Sequence, residues 1–279
     1  MLISCQDLSA ELHERDLVVL DASAHLPHAN RDAAQEFVDA HIPGARFMNL
    51  LDLTDPASDH PNTLPGKDLF QKRMRALGVQ ADDRVVLYDD SALRSAARAW
   101  FLCRWFGLHN LAILDGGFGK WRAAGYPVES GNASVEPSQF VITAPGKTGV
   151  HSKTEMLTNL SAAQAQVVDA RDAARFTGES IDTVHGLPGG HIPGARNVPY
   201  MRLFAEDGTY KNAAELRDIF ADAGVRLDHP VVASCGSGMT ACVLLFALAL
   251  LDREGALYDG GWAEWGADPE TPKEQGAAR

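Results

Sequence analysis

Cys235 stands between a short apolar run and a glycine-rich loop, and no other stretch of the chain points as clearly to chemistry. Residues 231–234 read Val-Val-Ala-Ser, Gly236 and Gly238 follow the cysteine, and an apolar helical pattern occupies residues 241–251. A strand, a tight loop and a helix in that order would place Cys235 beside backbone N–H groups and a helix N-terminus, which favour negative charge. A thiol held there loses its proton more easily and becomes a nucleophile. The alternative is a small buried cysteine at the end of a strand.

An internal repeat surrounds this segment. Four segments of the first half of the chain return in the second half at spacings of 144 to 150 residues. Several matches in one register indicate a duplication. The paired segments begin at Asp21 and Asp169, at His41 and His191, at Val85 and Val231, and at Asp115 and Asp259.

Each repeat alternates short β-branched runs with helical patterns. Helices are predicted at residues 69–77 and 214–223, ended by Gly78 and Gly224. This alternation predicts an α/β fold in which each repeat is a parallel β-sheet with helices on both faces. In such sheets ligands bind beyond the carboxyl ends of the strands, which is where Cys235 falls.

A stretch rich in Ser, Pro, Gly and Thr separates the repeats. It covers residues 129–148 and shows no clear period, which is typical of a linker. We place the boundary near residue 145, so that residues 1–140 form one domain and residues 150–279 the other. Both lengths lie within the usual range for a domain.

The two repeats differ at the position that carries the chemistry. Asp89 of the first repeat matches Cys235 of the second, and the residues after Asp89 lack both loop glycines. An aspartate cannot carry sulfur, and a loop without glycine need not form the same ring of N–H groups. This asymmetry predicts that the second domain is catalytic and the first inactive. The alternative is that both repeats are binding modules and that Cys235 is incidental.

The repeated His-Ile-Pro-Gly-Ala-Arg turns, the Asp-Gly-Gly segments ending in Trp121 and Trp265, and the Cys-Gly-Ser-Gly-Met-Thr loop resemble the tandem-domain rhodanese-like sulfurtransferases. The resemblance covers nearly the whole chain. The uncharged loop looks like the 3-mercaptopyruvate sulfurtransferase branch, because the thiosulfate branch more often has basic residues after the cysteine. The two tryptophans are expected in the core.

The resemblance implies that Cys235 takes a sulfur atom from a small anionic donor, 3-mercaptopyruvate or thiosulfate, and passes it from a persulfide to a thiol or to cyanide. It also implies that Arg175 binds the donor, whereas Arg171 supports the fold near Asp169. An ion pair of Arg175 with Asp172 or Glu179 is the alternative. Loop N–H groups should stabilise the sulfur anions. The implied substrate-binding loop residues are Gly236, Ser237, Gly238, Met239 and Thr240.

Three further expectations concern individual side chains. The hydroxyls of Ser237 and Thr240 either donate to the sulfur or cap the next helix. Val184 stands where the mercaptopyruvate branch usually has a second arginine, so that either His185 substitutes weakly or Arg175 acts alone. We therefore expect weaker selectivity for mercaptopyruvate, with thiosulfate also used. Asn62 takes the place of a histidine that some members use in a proposed relay to the loop serine.

Composition restricts the other classes of function. The formal net charge is −12, from 37 acidic and 25 basic residues, which disfavours nucleic acid or an anionic membrane as a partner. The four cysteines form no metal or disulfide pattern, and the first residues do not read as a signal peptide. We expect a cytoplasmic protein whose acceptors are thiols, among them thioredoxin-like proteins. No cofactor or metal motif is present.

Two rival functions remain from the residues. Cysteine phosphatases share this fold but need an arginine after the loop, where this chain has Ala241. A sulfur carrier loaded by another protein would need Cys235 and the loop but no donor site. Arg175 separates the carrier from the enzyme, because an arginine facing the loop provides an anion site.

Overall fold

The computed structural model describes residues 1–142 and 149–278, which form two compact units. The predicted boundary near residue 145 lies outside the described residues. Each unit includes a short segment from the other half of the chain. The first unit contains Met1–Pro56, Leu64–Gly146 and Glu206–Thr209, and the second contains Ala57–Thr63, Lys147–Ala205 and Tyr210–Arg279.

The first unit contains a five-stranded sheet in which all paired strands run parallel. The strand order across the sheet is β1-β5-β4-β2-β3. The strands are β1 (Leu2–Ile3), β2 (Leu17–Asp21), β3 (Arg46–Phe47), β4 (Arg84–Tyr88) and β5 (Leu111–Leu114). The flanking helices are α1 (Cys5–Glu11), α2 (Ala33–Asp39), α3 (Lys67–Ala76), α4 (Ala96–Trp105) and α5 (Gly117–Ala123).

The second unit repeats this topology. Its five parallel strands have the equivalent order β6-β10-β9-β7-β8. The strands are β6 (Val150–His151), β7 (Gln166–Asp169), β8 (Arg196–Asn197), β9 (Val231–Ser234) and β10 (Ala256–Tyr258). The flanking helices are α6 (Lys153–Ala162), α7 (Ala173–Thr177), α8 (Ala213–Asp222), α9 (Ala241–Leu250) and α10 (Gly261–Trp265).

The ends of α3 and α8 agree with the sequence pattern. Gly78 and Gly224 have φ angles of +67° and +73°, a conformation that glycine adopts without steric cost. Each follows its helix by two residues and ends it as predicted, and the helices themselves start one or two residues earlier than expected.

The core of the second unit fixes the position of Cys235. Strand β9 is the middle strand of its sheet and is buried along its whole length. Helix α9 is buried from Ala241 to Leu248 because it carries apolar side chains on every face. Cys235 is the first residue beyond the carboxyl end of β9. Trp121 and Trp265 are fully buried in their units, as predicted. No helix among the described residues is long and apolar enough to cross a membrane.

Candidate active site

The loop of residues 235–240 connects β9 to α9 and is buried throughout. The backbone carbonyls of Cys235 and Gly236 accept hydrogen bonds of 2.8 Å from the N–H groups of Trp262 and Ala263 at the start of α10. Gly261, at φ +56°, permits this approach, because a β-carbon there would lie 2.7 Å from the Gly236 carbonyl oxygen. Helix α10 therefore fixes the first two carbonyl groups of the loop by hydrogen bonds.

The N–H groups of the same loop are available to a ligand. Within the described residues, the backbone N–H groups of Gly236, Ser237, Met239 and Thr240 donate to no protein acceptor. Buried N–H groups are rarely left in this state, because an unpaired one costs about 1–3 kcal/mol. A set of such donors beside a cysteine suits a sulfur anion or the anionic end of a donor.

The corresponding loop in the first unit is occupied by its own carboxylate. Asp89, which follows β4 as Cys235 follows β9, accepts hydrogen bonds from the N–H groups of Ser91 (3.0 Å) and Ala96 (2.8 Å). The N–H of Asp90 donates to the hydroxyl of Ser23 at 2.9 Å. Burial raises the pKa of Asp89 above its usual range, although these backbone bonds oppose the shift. In the first unit the N–H groups that match those of Gly236 and Ser237 are therefore paired within the protein, that of Asp90 with Ser23 and that of Ser91 with Asp89.

Asn62 reaches the loop from the segment Ala57–Thr63, which belongs to the second unit although it lies early in the chain. Its Nδ2 donates to the hydroxyl oxygen of Ser237 at 2.8 Å. His60, from the same segment, lies 3.9 Å from the carboxylate of Glu264 on α10. Sequence reasoning matched Asn62 to the histidine position of relatives but gave no reason to place it on Ser237.

His185 lies against the loop next to Cys235, a position that the sequence did not predict. A β-carbon at Gly236 would lie 2.3 Å from Cε1 of His185, so only glycine leaves room for the ring. The ring is held by Asp182, whose Oδ2 is 3.0 Å from Nδ1. Asp182 is completely buried, and burial opposes its charge. The bonds from His185 and the nearby Arg175 nonetheless lower the pKa of Asp182 to about 2.

Arg175 lies on α7 and is joined to this cluster through Asp182. One guanidinium nitrogen is 3.6 Å from Oδ1 of Asp182, and Nε contacts Asp172 at 2.5 Å. The ion pair with Asp172, considered above as the alternative, is therefore present, and Asp182 links Arg175 to the residue that holds His185. Arg175 makes no hydrogen bond to the loop within the described chain. The carboxylates of Asp172 and Asp182 raise the pKa of its guanidinium despite burial, so it stays charged.

Arg171 has the structural role that the sequence predicts. It is 1 % exposed, pairs with Asp169 at 2.6 Å and donates to the carbonyl of Gly190. Its guanidinium carbon lies 4.6 Å from the ring centre of Trp262, close enough for a cation–π contact. Of the two roles considered for the Thr240 hydroxyl, the structure does not show capping: Thr240 is the N-cap residue of α9, but its side chain makes no capping hydrogen bond.

Comparison with known proteins agrees with this architecture. The family model described as Rhodanese-like domain matches residues 4–124 and 152–268. The 3-mercaptopyruvate sulfurtransferase of Escherichia coli strain K12 is 40% identical over 269 residues, which cover 96% of this chain and 95% of that protein. The thiosulfate sulfurtransferase of Cricetulus griseus is 38% identical, covering 93% and 89% of the two chains.

The solved structures agree as well. The crystal structure of SseA from Escherichia coli superposes with a TM-score of 0.86 at 38% identity, covering 94% of this chain and 98% of that one. The chain belongs to the rhodanese family. Within it, the protein is a tandem-domain sulfurtransferase of the 3-mercaptopyruvate and thiosulfate sulfurtransferase group.

Proposed function

We propose that Cys235 is the catalytic nucleophile and carries the transferred sulfur as a persulfide. The observation behind this proposal is the set of N–H groups of Gly236, Ser237, Met239 and Thr240 that have no protein acceptor, beside a cysteine at the carboxyl end of β9. The contrast with the first unit supports it, because there the N–H of Ser91, which matches that of Ser237, donates to the carboxylate of Asp89. Four donors are well suited to stabilise a thiolate and a persulfide anion in turn.

In the first half of the reaction, the Cys235 thiolate attacks the sulfur of the donor and a new S–S bond forms. The old bond to sulfur breaks, a C–S bond in 3-mercaptopyruvate or an S–S bond in thiosulfate. Its electron pair leaves on the enolate of pyruvate or on sulfite. In the second half, an acceptor takes the outer sulfur and Cys235 returns as thiolate. The hydroxyls of Ser237 and Thr240 donate further hydrogen bonds to the sulfur, beside those from the loop N–H groups.

Arg175 binds the anionic end of the donor. Its guanidinium is charged, its side chain is 23% exposed, and a planar guanidinium can hold a carboxylate or sulfonate through two parallel bonds. The present partner Asp172 is 54% exposed in its side chain, so a donor can compete for the arginine without leaving a buried carboxylate unpaired. Val184 offers no second guanidinium, so we expect thiosulfate to be used beside mercaptopyruvate.

The acceptors that we propose are small thiols and thioredoxin-like proteins, in the reducing environment of the cytoplasm. All four cysteines are buried and free, as expected of a protein that works where thiols stay reduced. The acidic net charge of −12 argues against nucleic acid or an anionic membrane as a partner.

The test is sulfur transfer to cyanide, read as thiocyanate, from 3-mercaptopyruvate and thiosulfate side by side. We expect turnover with both donors in the wild-type protein and none in Cys235→Ser. The matched control is Cys103→Ser, a buried cysteine of α4 in the first unit, which should retain transfer because the change leaves Cys235 and its loop untouched. Turnover that survives in Cys235→Ser would contradict the proposal. Absence of turnover with either donor in the wild type would favour a carrier loaded by another protein.

A further inference from the structure

The first half of the proposed reaction, in which Cys235 takes up sulfur, gives no role to the pair formed by Asp182 and His185. The two residues lie between α7 and β8, in a turn where Asp182 and Leu187 form an isolated antiparallel bridge. Oδ1 of Asp182 accepts the backbone N–H groups of Val184 (3.1 Å) and His185 (3.3 Å), while Oδ2 faces Nδ1 of the ring. The carboxylate therefore fixes both the backbone and the ring of His185.

The contact with Asp182 determines which ring nitrogen is free. A carboxylate that faces Nδ1 favours a proton on that nitrogen, which leaves Nε2 with its lone pair when the ring is neutral. Within the described parts of the chain, Nε2 has no hydrogen-bond partner, and 9% of the side chain remains exposed. Nε2 is thus able to take a proton from a bound molecule.

The imidazole ring of His185 lies against the loop residue that follows Cys235, so Nε2 is near the reactive cysteine. The Cε1 edge of His185 lies over Gly236, and Nε2 is 3.3 Å from the point that a β-carbon of residue 236 would occupy. Gly236 is bonded directly to Cys235. A nucleophile that approaches the sulfur on Cys235 from this side of the loop passes His185.

We propose that His185 is the general base for thiol acceptors, oriented by Asp182. This inference rests on the proposed function, because it concerns the second half of that reaction. The low pKa of Asp182 supports it, since an ionised Asp182 stabilises the imidazolium that forms.

Nε2 of His185 takes the proton of the acceptor thiol, and the resulting thiolate sulfur attacks the outer sulfur of the Cys235 persulfide. A new S–S bond forms in the product, and the S–S bond to Cys235 breaks with its electron pair on Sγ. The product is the acceptor's persulfide, the imidazolium returns its proton to water, and no oxidant or reductant is consumed.

A comparison of two acceptors distinguishes a general base for thiols from a residue that binds the donor. An alkyl thiol has a pKa of about 8.5 or higher, so at about pH 8 much of it must lose a proton before it attacks. Sulfite under the same conditions attacks mainly as a dianion and needs no base. The enzyme is first loaded with 3-mercaptopyruvate or thiosulfate, freed of donor, and checked for the persulfide by mass. It is then mixed with 2-mercaptoethanol or with sulfite, and the single-turnover rates are measured.

The readout is the ratio of the thiol rate to the sulfite rate. We expect it to fall by about 10²-fold in His185→Asn, whose amide can still donate to Asp182 but cannot take a proton. His185→Gln is a second variant with the same expectation, should His185→Asn fail to fold. The control is His229→Asn: His229 also pairs with an aspartate, Asp228 at 2.9 Å, but lies on the surface before the amino end of β9.

The outcomes are distinct. A ratio that falls in the His185 variants and stays at the wild-type value in His229→Asn supports the general base. A ratio that stays unchanged overturns it, and so does an equal loss of both rates, which would mean that His185 only shapes the loop. If the wild-type enzyme takes up no sulfur, the mass measurement shows this before any acceptor is added. That result would overturn the proposed function itself, and this inference with it.

Discussion

Nδ2 of Asn62 donates a hydrogen bond to the hydroxyl of Ser237 at 2.8 Å, although 175 positions separate the two residues. An amide N–H is a donor only, so the hydroxyl oxygen of Ser237 acts as the acceptor and its own proton remains free for another partner. Asn62 cannot draw the proton away from Ser237 as a neutral histidine in its place would. In this chain Ser237 is therefore oriented as a hydrogen-bond donor.

This relationship predicts that Asn62 and Ser237 act as one unit. Asn62→Ala and Ser237→Ala should each lower kcat/KM for 3-mercaptopyruvate by about tenfold, the effect of one hydrogen bond to a charged group. The double variant should lose little more than either single one, because the second change removes a bond that is already broken. Multiplied losses in the double variant would show that the two side chains act independently. Asn110→Ala, at an exposed asparagine of the first unit, is the control.

Arg175 should determine how tightly an anionic donor is bound. We expect Arg175→Gln to raise KM for both donors by about 10 to 10²-fold, since a charge-assisted bond contributes about 1.5–3 kcal/mol. The KM of Arg175→Lys should lie between those of the wild type and Arg175→Gln, because lysine keeps the charge but not the planar pair of donors. Arg217→Gln changes an exposed arginine that donates to the carbonyl of Ala213 and should leave KM unchanged. A loss confined to kcat would contradict a binding role for Arg175.

Gly236 should not tolerate a side chain. A β-carbon there would lie 2.3 Å from Cε1 of His185, so Gly236→Ala must displace a ring that Asp182 holds. We expect a loss of about 1–3 kcal/mol in the free energy of unfolding, measured by urea denaturation, and a larger loss of sulfur transfer. Gly66→Ala, where a β-carbon would meet nothing within 4 Å, is the control for activity and should leave sulfur transfer unchanged, although alanine is less favourable than glycine at this N-cap of α3. Wild-type behaviour of Gly236→Ala would mean that the ring moves freely.

Asp21 and Asp169 occupy matching positions in the two units. Replacing each by asparagine should change the stability of its unit in opposite directions. Asp169 is paired with Arg171, whereas Asp21 has Ser23 at the matching position. Burial raises the pKa of Asp21 to about 6, although bonds from Ser23 and Tyr88 oppose the shift. Because the folded unit binds this proton more tightly than the unfolded chain, the first unit should lose stability as pH rises from about 4 to about 6.

The test compares two neutral variants at pH 7. Asp21→Asn should stabilise the first unit by up to about 3 kcal/mol and remove this pH dependence. Asp169→Asn should destabilise the second unit by about 3–5 kcal/mol, because it leaves Arg171 buried without its partner. Hydrogen exchange of the β-strand amides, followed by mass spectrometry, measures the two units separately in the full chain. Changes of the same sign in both variants would contradict this account.

Much of the fold was predictable because the chain carries it twice. The periodic runs around β4 and β9 and the glycines after α3 and α8 depend on local chemistry, and local chemistry can be read from the sequence. The two-residue strands β1 and β6 were not predicted, since strands that short have no measurable period. The segment Ala57–Thr63 joins the second unit through contacts that span more than a hundred residues, and no local pattern reports such contacts.

Only part of the candidate site could be proposed from the sequence. Cys235 and its glycine loop stood out because the first repeat provides an internal comparison at Asp89. The role of Asp182 could not be anticipated, because an aspartate in a polar stretch reads as exposed until the structure buries it under His185 and Arg175. The sequence suggested His185 only as a weak substitute for the arginine that Val184 replaces. Its position over Gly236 depends on the turn that Asp182 organises.

The most direct test of the central claim is to locate the transferred sulfur on the chain. The enzyme is loaded with 3-mercaptopyruvate without acceptor, digested without reductant, and its cysteine peptides are sequenced by tandem mass spectrometry. We predict one added sulfur atom on Cys235, none on Cys5, Cys103 or Cys242, and no uptake in Cys235→Ser. Sulfur on another cysteine, or loading that persists in Cys235→Ser, would contradict the assignment of Cys235 as the sulfur carrier.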